Sequence, residues 1–266
     1  MTRPSVLVFA GADPSGGAGI QADIQAIAAL GAHPLSVITA LTVQDNDHVF
    51  AVHPVSASLV QQQAQALLKK IDIAAVKIGI VANRANAEAI AGIVRELRQY
   101  QPNLPVVFDP VLASGHGDAL AVEDAVQAVA PLITIATLIT PNLPEASALC
   151  EGERRSGVQA EILLRRGCGH VLIKGGHGSA NSNVVNQWFT EGDFRSWSWP
   201  RLAGSFHGSG CTLAAAVAAL LAGGKPMEQA IDLAQTYCQK ALESSYAIAA
   251  GQRIPDRIVS FFRESA

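Results

Sequence analysis

Charge is scarce in this chain. Asp, Glu, Lys and Arg make up 15% of its 266 residues and sum to −3. There is no basic excess to neutralise a polyanionic backbone, which argues against a nucleic-acid partner. Cysteines are few and scattered: Cys150, Cys168, Cys211 and Cys238. Without a C-x-x-C pair, neither a zinc site nor a redox pair is expected. No apolar run approaches the roughly 18 residues of a membrane span. The longest candidate, 213–222, is far too short. The opening MTRPSVLVFAGADPSGG breaks at Gly, Asp and Pro before it could form the apolar core of a signal peptide. These absences predict a reduced, soluble, cytoplasmic protein. Neither a G-x-x-x-x-G-K-[ST] loop nor a G-x-G-x-x-G turn after a strand occurs, so any phosphate site must be of another type. Linkers, low-complexity tracts and fixed-period repeats are missing too, and a single domain over 1–266 is expected.

What is present is an apolar, alternating chain. Hydrophobic residues make up 49%, enough to exclude disorder. SVLVFA (5–10), PLSVITAL (34–41), AAVKIGI (74–80), VVFDPV (106–111), ATLITP (136–141) and HVLIKGG (170–176) read as buried strands. Helical patterns lie between them, beginning with QADIQAIAAL (21–30). Such alternation predicts an α/β three-layer sandwich, with a mainly parallel sheet covered on both faces. The rhythm changes between 184 and 199, which reads as a hairpin turning at Glu191-Gly192-Asp193. Helices over 212–222 and 227–247 are expected to close the chain.

In open α/β sheets ligands bind beyond the carboxyl ends of the strands. Polar groups follow five strands in turn: Gly11 to Gly19, Thr42-Val43-Gln44-Asp45-Asn46, Asp109-Pro110, Thr140-Pro141-Asn142-Leu143-Pro144-Glu145, and Lys174-Gly175-Gly176-His177. Five such segments at one sheet edge predict a site. The run GSFHGSGCTLAAAVAALLAGG adds small residues before a helix expected to begin near Cys211. Its free N–H groups and dipole suit an anion. At such a helix mouth the Cys211 thiol is expected to titrate below its usual value of roughly 8.5. It could then take a proton from a substrate hydroxyl or attack an electrophile. Cys150, Cys168 and Cys238 read as packing residues. Plain structural readings stand beside the functional ones. Asp23 would also suit a helix dipole, Asp109 a turn, Asn142 and Glu145 a helix cap, and Lys174 a solvated strand end. His177 and His207 read as loop surface.

The segments GADPSGGAGIQADIQAIAALG, SVITALTVQD, VKIGI, FDPV, TPNLPEA, LIKGGH and HGSGCTLAAAVAA, in this order and spacing, resemble the hydroxymethylpyrimidine and phosphomethylpyrimidine kinases of thiamine biosynthesis, members of the ribokinase-like superfamily. The resemblance implies ATP-dependent transfer to 4-amino-5-hydroxymethyl-2-methylpyrimidine, then to its monophosphate, in a homodimer. It implies that Cys211 sits nearest the substrate hydroxyl, at the mouth of an anion hole formed by Gly208, Ser209 and Gly210. Lys174, Asn142 and Thr212 would meet the nucleotide, and Asp109 and Glu145 would organise Mg²⁺. Gln44, Gly11, Asp23, Ala18 and Ile80 would form the pyrimidine end. Alternatives are a pyridoxal kinase of the same superfamily or a non-catalytic vitamer-binding protein. The chain departs from the family pattern at 114–118, 151–159, 178–185 and 203–206. These loops are expected to cover the phosphates and the adenine, and they bear on the second transfer.

Overall fold

The computed structural model describes residues 2–113, 124–178 and 183–258. Its strands are β1 (Ser5–Ala12), β2 (His33–Gln44), β3 (Val49–Pro54), β4 (Ala75–Ile78), β5 (Val106–Phe108), β6 (Leu138–Ile139), β7 (His170–Ile173), β8 (Val184–Thr190) and β9 (Asp193–Trp199). They form one sheet in the order β3-β2-β1-β4-β5-β6-β7-β8-β9. The six strands from β2 to β7 in that order run parallel, while β3, β8 and β9 are antiparallel additions at the two ends. The expected parallel sheet and the hairpin at Glu191-Gly192-Asp193 are both present.

β1 shows why the sheet is covered on both faces. Its residues Val6, Leu7, Val8 and Phe9 are all fully buried, as a central parallel strand requires. Leu7 and Phe9 point into one core, with Val60, Ile90, Phe108 and Leu132. That core lies under α2 (Ala57–Leu68), α3 (Arg84–Tyr100), α4 (Ala125–Ile133), α5 (Leu143–Leu149) and α6 (Ser156–Arg165). Val6 and Val8 point into the other, with Ile27, Val107, Val217 and Ile231. The second core lies under α1 (Gly19–Ala29), α7 (Ser209–Ala222) and α8 (Met227–Glu243). α7 is buried along Thr212 to Ala219. Its alanines let the helix lie close against the strands, because nothing larger fills the gap.

Three boundaries differ from the sequence reading. β2 continues past residue 41 to Gln44, because β3 pairs with its far end from Ala40↔Pro54 to Gln44↔Val49. Gln44 therefore stands on a strand rather than in a loop. β3 itself, VFAVHP, lacked a clear alternating pattern and was not anticipated. α7 begins at Ser209, two residues before Cys211, with Gly208 as its N-cap in the left-handed region at φ 77°. A Cβ at Gly208 would collide with the Gly17 carbonyl oxygen, so only glycine fits where the two loops touch. α8 ends at Glu243, before the expected residue 247.

Candidate active site

A cavity of about 520 Å³ opens at the carboxyl ends of the parallel strands. Gly11, Ala18, Gln44 and Ile80 line one end of it, and Asp109, Asn142, Glu145 and Lys174 line it further along. The first turn of α7, Gly208-Ser209-Gly210-Cys211, faces both groups. A Cβ placed on Gly210 would stand 3.0 Å from Lys174 Nζ and 3.6 Å from Asp109 Oδ2. The helix N-terminus, the ammonium and the carboxylate thus meet at one point, reached from three separate elements.

Lys174 is not a solvated charge. Its Nζ donates to Asp109 Oδ1 at 2.6 Å, and Thr140 Oγ1 donates to the same oxygen at 3.1 Å. The Lys174 backbone N–H is fixed to Pro141 O at 2.8 Å. Asn142 and Glu145 cap α5 reciprocally, each backbone N–H donating to the other's side chain at 2.8 and 2.9 Å. The cap reading of this pair is the observed geometry, and it leaves both side chains on the cavity wall. Burial pushes the Glu145 carboxyl up to about 7, aided by the Asp109 charge and opposed by Lys174.

Three expectations need correction. The Cys211 thiol does not titrate low. Burial pushes it up to about 11; Lys77 and the Gly19 backbone oppose that rise, and the Asp23 and Asp109 carboxylates add to it. Helix-mouth polarity is real, but the half-buried thiol on the cavity wall loses more to desolvation than it gains from that polarity. Asp23 does not line the cavity: it is fully buried, accepting from Lys77 Nζ at 2.8 Å. Thr212 does not line the cavity either. It is fully buried, donating to Gly208 O and accepting from Arg257 Nε at 2.8 Å.

Four residues were missed. Lys77 lies inside the buried strand β4, and a charge within such an apolar run was the available signal. Asp13 and His207 form a pair at 2.8 Å on the cavity wall. Although buried, the Asp13 carboxyl is held well below the usual range by hydrogen bonds from His207, Gln44 and Ser15. His207 is therefore not plain loop surface. Arg257 belongs to the C-terminal segment, where no motif marked it. Of the departing loops, Val184 and the run Gly204-Ser205-Phe206 line the cavity, while 151–159 do not. Residues 114–118 and 179–182 lie outside the described residues.

No helix among the described residues is long and apolar enough to cross a membrane. The three expected packing cysteines are buried, and burial pushes Cys150 up to about 11 and both Cys168 and Cys238 up to about 12.

Comparison with known proteins agrees with this architecture. A hydroxymethylpyrimidine/phosphomethylpyrimidine kinase of Rhizobium meliloti is 41% identical over 258 residues, covering 92% of this chain and 93% of its own. Among solved structures, a Bacillus subtilis pyridoxal kinase in complex with ADP matches with a TM-score of 0.87 at 26% identity, over 96% of this chain and 98% of its own. A phosphomethylpyrimidine kinase of Clostridium difficile matches with a TM-score of 0.75 at 34% identity, over 90% of this chain and 100% of its own. The family model described as phosphomethylpyrimidine kinase covers residues 13–255. The chain belongs to the phosphomethylpyrimidine kinase family.

Proposed function

We propose that the protein transfers a phosphoryl group from ATP to the hydroxymethyl group of 4-amino-5-hydroxymethyl-2-methylpyrimidine, and a second to the resulting monophosphate, in thiamine biosynthesis. The observation that carries this reading is the meeting of the α7 N-terminus, Lys174 and Asp109 around Gly210, one residue from Cys211. Phosphoryl transfer needs positioning and charge neutralisation more than covalent help. The N–H groups of Gly208 to Cys211 would hold the charge on the transferred group, and Lys174 the nucleotide phosphates beside Asn142. Gln44 offers a donor and an acceptor to the ring nitrogen and amino group, with Gly11, Ala18 and Ile80 packing around the ring.

Among the described residues no cluster of three His, Cys, Asp or Glu could hold a metal. Asp109 and Glu145 still suit Mg²⁺, which keeps several waters and takes few protein carboxylates. A carboxyl raised by a neighbouring carboxylate, as Glu145 is by Asp109, gains from a cation. Bound Mg²⁺ would neutralise phosphate charge. An ionised Glu145 is then required, so kcat/KM for ATP should rise with pH through about 7. Glu145→Gln should flatten that acid limb. A limb that persists in the variant removes Glu145 from this role.

Cys211, neutral near pH 7, would orient the hydroxyl while a phosphate oxygen takes its proton. Iodoacetamide should therefore label Cys211 at pH 7.5 about 10²-fold more slowly than a free thiol, and faster as pH rises towards 11. Cys211→Ala should cost less than the roughly 10²-fold that loss of a general base carries. Rapid labelling, or a larger loss, would restore the base.

The homodimer implied by the family fits an exposed apolar edge, Leu41, Val43 and Phe50 on β2 and β3. Sedimentation at the 27.7 kDa chain mass would refute it. The catalytic reading is tested by mass spectrometry after incubation with Mg-ATP and the pyrimidine, with pyridoxal in parallel. Two successive additions to the pyrimidine support it. Phosphorylation of pyridoxal alone would replace the substrate, and no turnover of either would favour a vitamer-binding protein.

A further inference from the structure

The largest fully buried side chain is an arginine from the C-terminal segment, Arg257, at 2% exposure. A guanidinium taken out of water is ordinarily paired with a carboxylate. Among the described residues no carboxylate stands at ion-pair distance from Arg257, and the Asp23 charge acts on it only from further off. Its acceptors are all neutral: Thr212 Oγ1 at 2.8 Å, Gly17 O at 2.5 Å, Gln25 Oε1 at 3.4 Å and Gly208 O at 3.5 Å. Its own carbonyl accepts from Tyr237 Oη at 2.9 Å, which ties the segment to α8. The segment is tied to the site at other points as well. His207 N donates to Arg253 O and Arg253 N to Ser205 O, each at 2.9 Å, and a Cβ on Gly17 would stand 2.7 Å from Ile254 Cδ1.

We propose that Arg257 is the counter-charge and positioning residue of the anion site at the α7 N-terminus, a cation given no contacting carboxylate by the protein because the bound polyphosphate compensates it. Two features support this. Arg257 joins the Thr212 N–H and hydroxyl, at 2.9 and 2.8 Å, in holding the Gly208 carbonyl, itself at 3.5 Å, and in a planar trans peptide that carbonyl points opposite to the Ser209 N–H. Holding the carbonyl inward turns the Ser209 N–H towards the cavity. Arg257 also reaches the carbonyls of both loops that meet at the cavity, Gly17 and Gly208, so it fixes their spacing. Its positive charge adds to the helix dipole behind the phosphate and is weakly screened there.

This inference rests on reading the α7 N-terminus as the phosphate end. Its test therefore uses a probe that needs neither pyrimidine nor adenine: inorganic tripolyphosphate, titrated calorimetrically at fixed ionic strength. Arg257→Met should bind it about tenfold or more weakly, and Arg257→Lys within about threefold of wild type. Gln25→Glu guards against misfolding, since it keeps the arginine and supplies the missing carboxylate. A purely structural arginine would gain from that partner. A counter-charge would be cancelled by it, so Gln25→Glu should lose about fivefold or more in affinity with an undiminished melting temperature. In turnover, kcat should fall in Arg257→Met and Gln25→Glu while KM for the pyrimidine holds. Wild-type affinity in Gln25→Glu, or equal losses in Arg257→Lys and Arg257→Met, overturns the inference alone. No tripolyphosphate binding by the wild type overturns it together with the phosphate reading.

Discussion

Lys174→Met should lower kcat by about 10²- to 10³-fold, the loss expected when a preorganised group facing transition-state charge is removed. Lys174 Nζ stands between the Asp109 carboxylate, 2.6 Å away, and the first turn of α7. Without it, Asp109 and Glu145 face an incoming polyphosphate with no ammonium between them. The Asp109 carboxylate would then oppose the phosphates, so KM for ATP should rise as well. The fold should survive, because Glu145, already pushed up to about 7, can take a proton and relieve the repulsion. A melting temperature within a few degrees of wild type, together with the kinetic loss, separates this effect from unfolding. Lys174→Arg should not restore full activity, since a planar fork replaces a compact point charge. Near-normal turnover in Lys174→Met would remove Lys174 from the phosphate site.

Lys77→Met should destabilise the protein by about 3–5 kcal/mol, the cost of leaving one partner of a buried ion pair uncompensated. Both members are fully buried, with Nζ and Oδ2 2.8 Å apart, and the second oxygen of Asp23 has no partner. Burial disfavours the Lys77 charge, yet Asp23 and Asp109 hold it protonated. Burial in turn pushes Asp23 up to about 6, against the pull of Lys77. Without Lys77 that rise is larger. An aspartate whose folded value lies above its unfolded 3.8 binds protons more tightly when folded, so folding gains as pH falls. The penalty in Lys77→Met should therefore shrink between pH 7.5 and pH 4, as read by urea unfolding. The double variant Lys77→Met with Asp23→Leu should recover most of it. A double variant as unstable as the single one would show that the strand, not the charge pair, was damaged.

Much of the architecture was legible because burial by strands and helices is periodic. The fully apolar run at Val6 to Phe9 and the glycine-alanine run around Cys211 each admit few conformations. Polar residues after five strands also converged, since parallel strands put all their carboxyl ends on one side. Properties set by tertiary burial were not legible. The Cys211 thiol sits at a helix mouth, as read, but its titration depends on the wall around it. Asp23 and Thr212 lie near the site in sequence but are buried beside it rather than on the cavity wall. β3 was hidden because its burial is irregular at the sheet's edge, where only one neighbour dictates its residues. Arg257 has no local pattern at all; its partners are supplied by Gly17, Gln25, Gly208 and Thr212, far back in the chain.

The layer made by α1, α7 and α8 has a consequence for synthesis on the ribosome. The first helix is finished early, while its two companions on that face are among the last elements translated. At roughly 5–20 residues per second, about 10–40 s separate Ala29 from Ser209. Through that interval Val6 and Val8 of the nascent strand have no helix pair above them, and the phosphate end has no first turn of α7. A ribosome-stalled chain ending before α7 should thus be both inactive and sticky. The first turn of α7 on the cavity wall and the closing of the second apolar face become available in the same late step.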